Sequence, residues 1–326
     1  MKIALKYRYE SVFGPYITGL VLQKKQCGFI YDFEAYILKE FDQFCLEHGY
    51  SEALLTREIA MEWAVQKNSE SINYRNQRVS FLRQLSRYMN SMGINSYIPR
   101  QHPSAATSVP HIPDAAELSE LFEVIDRDVP QWKGGHIYAM EYQVLFRMYY
   151  CCGLRLAEGC CLKSEHVNLD TGILTITESK GRKDRLVCMA DDLTALCRNY
   201  DEKIAHYYPG RVWFFPGKNG EKHLEKTGID RKFRQFWAKT ACSKNVDKPP
   251  TVHALRHAFV VNRMNQWMLE GISLETMMPY LARYLGHRGI NDTMYYYHQV
   301  KEAFQIVSEK DRLSSQIIPE VITYEE

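Results

Sequence analysis

The segment 94–113, INSYIPRQHPSAATSVPHIP, constrains the fold most. Pro99, Pro103, Pro110 and Pro113 are interspersed with Ser, Thr and Asn, and no hydrophobic period runs through them. Proline removes a backbone donor and interrupts both helix and sheet, so such a stretch connects structured regions and does not join a core. It divides the 326 residues into two parts, in keeping with about 100–200 residues per domain. The expected organisation is a first domain over 1–94, a linker over 95–113, a larger domain over 114–300 and a C-terminal tail over 301–326.

The first part is patterned for helices. Residues 31–48 place Phe33, Tyr36, Ile37, Phe41 and Phe44 at three- and four-residue spacing, and His48-Gly49 is a stop. Thr56 predicts an N-cap for a helix to about Gln66, and 72–92 predicts a helix closed by Gly93. In the second part helices resume near Asp114-Ala-Ala-Glu117. Residues 173–177 and 186–189 alternate like strands around the basic turn 179–185, and 212–215 predicts a third strand. The expected fold is mainly α with a small antiparallel β-sheet: an all-helical N-terminal domain followed by an α-rich mixed domain.

Composition removes several classes. Hydrophobic residues are 45% and charged residues 25%, which excludes wholesale disorder. The sequence has no apolar run of about 18 residues, and MKIALKYRYE breaks its apolar stretch with charge, so neither a membrane span nor a secretory signal is expected. The nine cysteines include two adjacent pairs but no CxxC, so reduced thiols in a cytoplasmic protein are expected and a zinc site is not.

Forty-one basic and 39 acidic residues leave a net charge of +2, which argues against a uniformly basic nucleic-acid binder. The distribution is uneven. Residues 71–100 hold five arginines, no lysine and no acid. Val79, Leu82, Leu85, Met89 and Met92 form an apolar stripe, with Arg83 and Arg87 opposite. An acid-free face suits phosphate oxygens, so Arg75, Arg83 and Arg87 are candidate DNA contacts; the alternative is a solvated basic face.

Four further segments carry candidate chemistry, and each has an ordinary structural explanation when taken alone. CGLRLAE (152–158) puts Arg155 after a glycine corner, where Glu158 could pair with it. SKGRKDR (179–185) gives a basic hairpin tip with Lys180, Arg182, Lys183 and Arg185, suited to a nucleic-acid groove or to solvent. HALRH (253–257) places His253 and Arg256 on one helix face. His253 and His257 have metal-ligand spacing, but the HExxH glutamate is missing. LGHRGINDTMYYYH (285–298) ends in three tyrosines about 100° apart on a helix, at most one of which can aim into a given site.

Taken in order, these boxes resemble the tyrosine recombinase (phage integrase) family, and the N-terminal part is similar to that family's helical core-binding domain. The resemblance implies a site-specific integrase or recombinase, of integrase or transposase kind, that cuts and rejoins DNA through a 3′-phosphotyrosine. It implies that Arg155 and Arg256 bind the non-bridging phosphate oxygens and that Lys180 protonates the departing 5′-oxygen. His253 would serve as acid/base on the nucleophile side, and His287 would donate to the phosphate. The nucleophile falls nine residues after His287, at Tyr296, with Tyr295 and Tyr297 as one-residue slips. Arg182 and Lys183 would join the DNA contacts.

No metal, ATP or other cofactor is expected, in keeping with the lack of a GxxxxGK[ST] loop. The implied partners are duplex DNA with inverted-repeat core sites and further copies of the chain, two on a site and four in a synapse, with accessory recombinases as a further expectation. The implied location is the bacterial cytoplasm, on the nucleoid. The competing readings are a non-catalytic DNA-binding relative and a type IB topoisomerase-like relaxing enzyme.

Overall fold

The computed structural model describes residues 5–100, 110–128, 130, 135–177, 184–217, 220–287 and 289–297, with backbone alone for 295–297. The chain forms two compact units, 1–108 and 109–326. The protein is mainly helical with one small antiparallel sheet.

The first unit contains α1 (Gly14–Gln26), α2 (Asp32–Glu47), α3 (Arg57–Trp63) and α4 (Ile72–Ser91). Thr56 caps α3 by accepting the Ile59 N–H, and Ser71 caps α4 by accepting the Tyr74 N–H. Phe13, Ile17, Leu20, Ile37, Phe41, Trp63, Leu82, Leu85 and Met89 meet in its core. Phe33 and Tyr36 depart from the helical pattern and are exposed.

The second unit begins with α5 (Ala115–Arg127), opened by a capping box in which Asp114 and Glu117 satisfy each other's backbone N–H groups. It continues with α6 (Gly135–Cys151), α7 (Leu156–Cys160), β1 (Val167–Asn168), β2 (Ile173–Ile176), β3 (Arg185–Cys188), α8 (Asp191–Tyr207), α9 (Lys226–Trp237), α10 (His253–Leu269), α11 (Leu274–Leu285) and α12 (Asn291–Tyr297). Helix α6 is buried on nearly all sides, through Val144, Leu145, Phe146, Met148 and Tyr149, and acts as the central rod. Among the described residues, no helix is long and apolar enough to cross a membrane.

The strands pair in the order β1-β2-β3, all antiparallel. The third strand is therefore β1 and not the predicted 212–215. Trp213 makes an isolated bridge with Lys163, and the rest of that segment is engaged otherwise. Tyr200 donates its hydroxyl to the Phe214 carbonyl, the Phe214 N–H reaches Leu162, and the Phe214 and Phe215 rings are buried as core plugs.

Candidate active site

The C-terminal end of α11 organises the site. Gly286 has φ of +67°, and its N–H bonds the Arg283 carbonyl while the His287 N–H bonds the Ala282 carbonyl. This is a Schellman closure, and it needs glycine because the left-handed region penalises a Cβ. A Cβ at 286 would also stand 3.3 Å from the guanidiniums of Arg155 and Arg185.

A helix C-terminus leaves carbonyls without intrahelical partners and carries partial negative charge. Here three consecutive carbonyls each receive an arginine. Arg185 Nε donates to the Tyr284 carbonyl at 2.7 Å, Arg256 donates to the Leu285 carbonyl at 2.8 Å, and Arg155 donates to the Gly286 carbonyl at 2.8 Å. The turn that presents His287 thus gathers guanidiniums from β3, from α10 and from the N-cap of α7.

Glu158 joins two of them. Its carboxylate accepts from the Arg155 backbone N–H and guanidinium at 2.9 and 2.8 Å, and from both terminal nitrogens of Arg185 at 2.9 and 2.7 Å. Burial alone would raise its pKa. The Arg185 hydrogen bonds and charge, joined by those of Arg155, outweigh burial and hold it near 2. The sequence-level pairing of Arg155 with Glu158 is present; the addition is Arg185, which the sequence pattern placed at an exposed turn. Arg185 is the first residue of β3, directly opposite the buried Ile176 and on the same face as the buried Val187. Strand alternation counted one residue earlier would have pointed it inward.

Arg256 is almost fully buried on α10 and donates to the carbonyls of Gly153 and Leu285. Gly153 turns the chain at φ +59°, and a Cβ there would strike the Phe259 ring at 2.6 Å. The glycine corner in the sequence therefore brings the Gly153 carbonyl to Arg256 and leads into Arg155.

Arg256 also lies 2.8 Å from His287 Nε2. A guanidinium only donates, so Nε2 accepts and the proton sits on Nδ1, which donates to Thr293 Oγ1 at 2.7 Å. Burial first, then the charges of Arg256 and Arg155, lower the His287 pKa to about 4. His253 keeps an exposed edge, yet surrounding protein and the same two arginines lower its pKa to about 4. Its ring meets His257 edge-on, with centroids 4.4 Å apart. His257 is buried, and burial, His253 and Arg256 lower its pKa to about 3. Both His253 and His287 are therefore neutral near pH 7.

Of the six candidate catalytic positions, Arg155, His253, Arg256 and His287 come together. Lys180, Arg182 and Lys183 lie outside the described residues, between β2 and β3. Tyr296 is on α12, whose backbone is described; α12 packs on α10 and α11, and its Thr293 is fully buried. In the first unit Arg87 is exposed and Arg75 and Arg83 are half-buried on α4. Arg78, from the same acid-free run, is buried and paired with Glu70, and it donates to the Trp63 and Val65 carbonyls.

The phage integrase family model matches residues 114–303. An integrase/recombinase of Sinorhizobium fredii, y4rE, is 30% identical over 293 residues, covering 88% of this chain and 92% of that protein. The tyrosine recombinase XerA of Pyrococcus furiosus is 25% identical, covering 88% and 89%. Among solved structures, the Tn1549 transposon integrase in complex with transposon right end DNA superposes with a TM-score of 0.62 at 15% identity, covering 94% of this chain and all of that one. The post-cleavage complex of XerH recombinase with its difH substrate gives 0.60 at 17% identity, covering 86% and 78%. The likeness to the two solved structures is one of fold, while the family match spans more than half of the sequence and takes in all four boxes: the chain belongs to the phage integrase family.

Proposed function

We propose that this chain is a site-specific DNA recombinase of integrase or transposase kind, cutting and rejoining duplex DNA through a 3′-phosphotyrosine at Tyr296. The observation that supports it most is the trio of consecutive carbonyls, Tyr284, Leu285 and Gly286, holding Arg185, Arg256 and Arg155 beside His287. A phosphodiester is anionic and its pentavalent transition state more so. Guanidiniums held in place before the substrate arrives stabilise that charge with little reorganisation. Arg155 remains 22% exposed, so phosphate can still reach it.

In the first step Tyr296 Oη forms a bond to phosphorus and the P–O5′ bond breaks. The tyrosine proton passes to His253, neutral at pH 7 and therefore able to accept it. Lys180 gives a proton to the departing 5′-oxygen. Arg155 and Arg256 bind the non-bridging oxygens, and His287, protonated at Nε2 once the phosphate offsets the arginine charges that lower its pKa, donates a further hydrogen bond. In the second step a 5′-hydroxyl attacks the phosphotyrosine and the transfers run in reverse. The bond energy is conserved in the phosphotyrosine, so no nucleotide is consumed.

The DNA partner on this reading is a pair of inverted core sites, contacted by Arg75, Arg83 and Arg87 and by Arg182 and Lys183. The working form is two copies on a site and four in a synapse, with accessory recombinases as further partners, in the bacterial cytoplasm on the nucleoid. The test is a nicked duplex taken from the DNA flanking the gene, incubated without added divalent cation or nucleotide. A covalent protein–DNA adduct is expected. Sequence-independent plasmid relaxation would favour a topoisomerase, and DNA binding without any adduct would overturn the catalytic reading.

A further inference from the structure

A second cluster of reactive side chains lies at the other end of α7. Cys160 is its last residue, Cys161 its C-cap, and His223 precedes α9. The two sulfurs are 3.6 Å apart, and Cys161 Sγ is 3.6 Å from His223 Nε2. All three donor atoms lie within 4.8 Å of one another. Tetrahedral zinc with Zn–S of about 2.3 Å and Zn–N of about 2.0–2.1 Å has S···S edges of about 3.8 Å and S···N edges of about 3.6 Å. The two 3.6 Å separations lie close to those edges.

The histidine is oriented for ligation. His223 Nδ1 is 2.7 Å from the Leu224 carbonyl, which can only accept, so Nδ1 carries the proton and Nε2 turns its lone pair to the sulfur. Metal-bound histidines are fixed in this way by a carbonyl on the remote nitrogen. The Trp213 ring packs edge-on against the imidazole, with centroids 5.0 Å apart, and braces its plane. Cys160 is buried, while Cys161 and His223 are partly open, which leaves an entry path.

We propose that Cys160, Cys161 and His223 form a binding site for one thiophilic divalent cation, zinc by its donor set, with the fourth position open to water. Two sulfurs and an imidazole select such an ion over magnesium or calcium. The bound ion would clip the end of α7 to the segment entering α9. Helix α7 carries Glu158 and has Arg155 as its N-cap, so the clip would hold these two residues in place without touching DNA. The sequence concealed it because two ligands are adjacent and the third lies 62 residues beyond Cys161, which matches no zinc spacing.

The test uses the full-length protein, reduced and stripped with chelator, titrated with Co(II). Saturation at one equivalent with tetrahedral d–d and thiolate charge-transfer absorption is expected, with Zn(II) displacing the cobalt. Cys161→Ser and His223→Gln should abolish saturable binding, while Cys27→Ser with Cys188→Ser, at exposed thiols, should preserve it. Wild-type protein gives a readout independent of variant folding: Zn(II) should protect Cys161, but not Cys27, from alkylation mapped by mass spectrometry. Absence of a saturable cobalt spectrum, its persistence in Cys161→Ser, or equal alkylation with and without zinc would overturn the site. The adduct assay without added metal addresses strand cleavage separately, so failure of one reading is distinguishable from failure of the other.

Discussion

Arg185 and Glu158 meet as a bidentate ion pair across 27 residues of sequence, with contacts of 2.9 and 2.7 Å, and the same carboxylate holds Arg155. Arg185 is thus a positioning residue. Replacing it with alanine leaves a buried carboxylate short of partners, which costs about 3 kcal/mol. The Arg185→Ala protein should unfold at lower urea concentration and form adduct up to about 100-fold more slowly through a displaced Arg155. Arg185→Lys should recover part of the stability but little of the rate, because an ammonium lacks the fork. Unchanged adduct kinetics in both variants would remove the positioning role.

Gly286 is the point at which α11 ends, His287 is presented and three arginines converge. Gly286→Ala places a Cβ in the left-handed region, at about 1 kcal/mol, and against the guanidiniums. Adduct formation should fall by more than stability does, since the strain lands on Arg155 and Arg185. Equal losses in the urea midpoint alone, with normal adduct rates, would contradict this.

Glu141 is fully buried on α6, and one of its oxygens accepts the Gly217 N–H at 2.8 Å. Burial raises its pKa from near 4.5 to about 8, against the opposing Gly217 hydrogen bond and Arg211 charge. A raised folded-state pKa gives stability that is full below 4.5 and lost as pH rises through 8. Glu141→Gln keeps the acceptor and removes the titration. Urea midpoints should fall for the wild type relative to Glu141→Gln across this window; parallel curves would refute the assignment.

His287 carries the opposite sign. Its folded-state pKa of about 4 lies below the ordinary 6.5, so stability is full above 6.5 and declines as pH falls through 4. His253 contributes in the same direction, less strongly, because water screens its exposed edge. A DNA phosphate beside Arg155 and Arg256 offsets the charges that depress His287 and draws Arg256 away from Nε2. NMR titration of the ring should therefore give a higher His287 pKa in the DNA complex than in the isolated protein. An unchanged or lower value would mean that phosphate does not bind there.

Local signals made much of the fold legible. Thr56 and the Asp114–Glu117 capping box mark helix starts, Gly93 marks an end, and the alternation around 173–189 marks the hairpin, because each is a short-range backbone device. The order of the boxes singles out Arg155, His253, Arg256 and His287, which the fold brings together, and LGH acquires a physical reason in the Schellman turn that feeds carbonyls to arginines. Three features depend on tertiary pairing and were hidden. Arg78 is one of the five arginines of the acid-free run, but Glu70, one residue outside that run, pairs with it in a buried ion pair. Arg185 read as turn charge until the strand register turned it inward. Phe214 and Phe215 have strand-like composition, yet their rings are needed in the core and their backbone is taken by Tyr200 and Leu162.

The central claim is that Tyr296, and neither neighbouring tyrosine, becomes covalently attached to DNA. The direct measurement is adduct formation on a nicked duplex from the flanking DNA, with Tyr295→Phe, Tyr296→Phe and Tyr297→Phe compared and the wild-type adduct peptide sequenced by mass spectrometry. Tyr296→Phe should bind the duplex normally and form no adduct, and the wild-type phosphotyrosine should map to Tyr296. An adduct that persists in Tyr296→Phe, or maps to Tyr295 or Tyr297, would contradict the account.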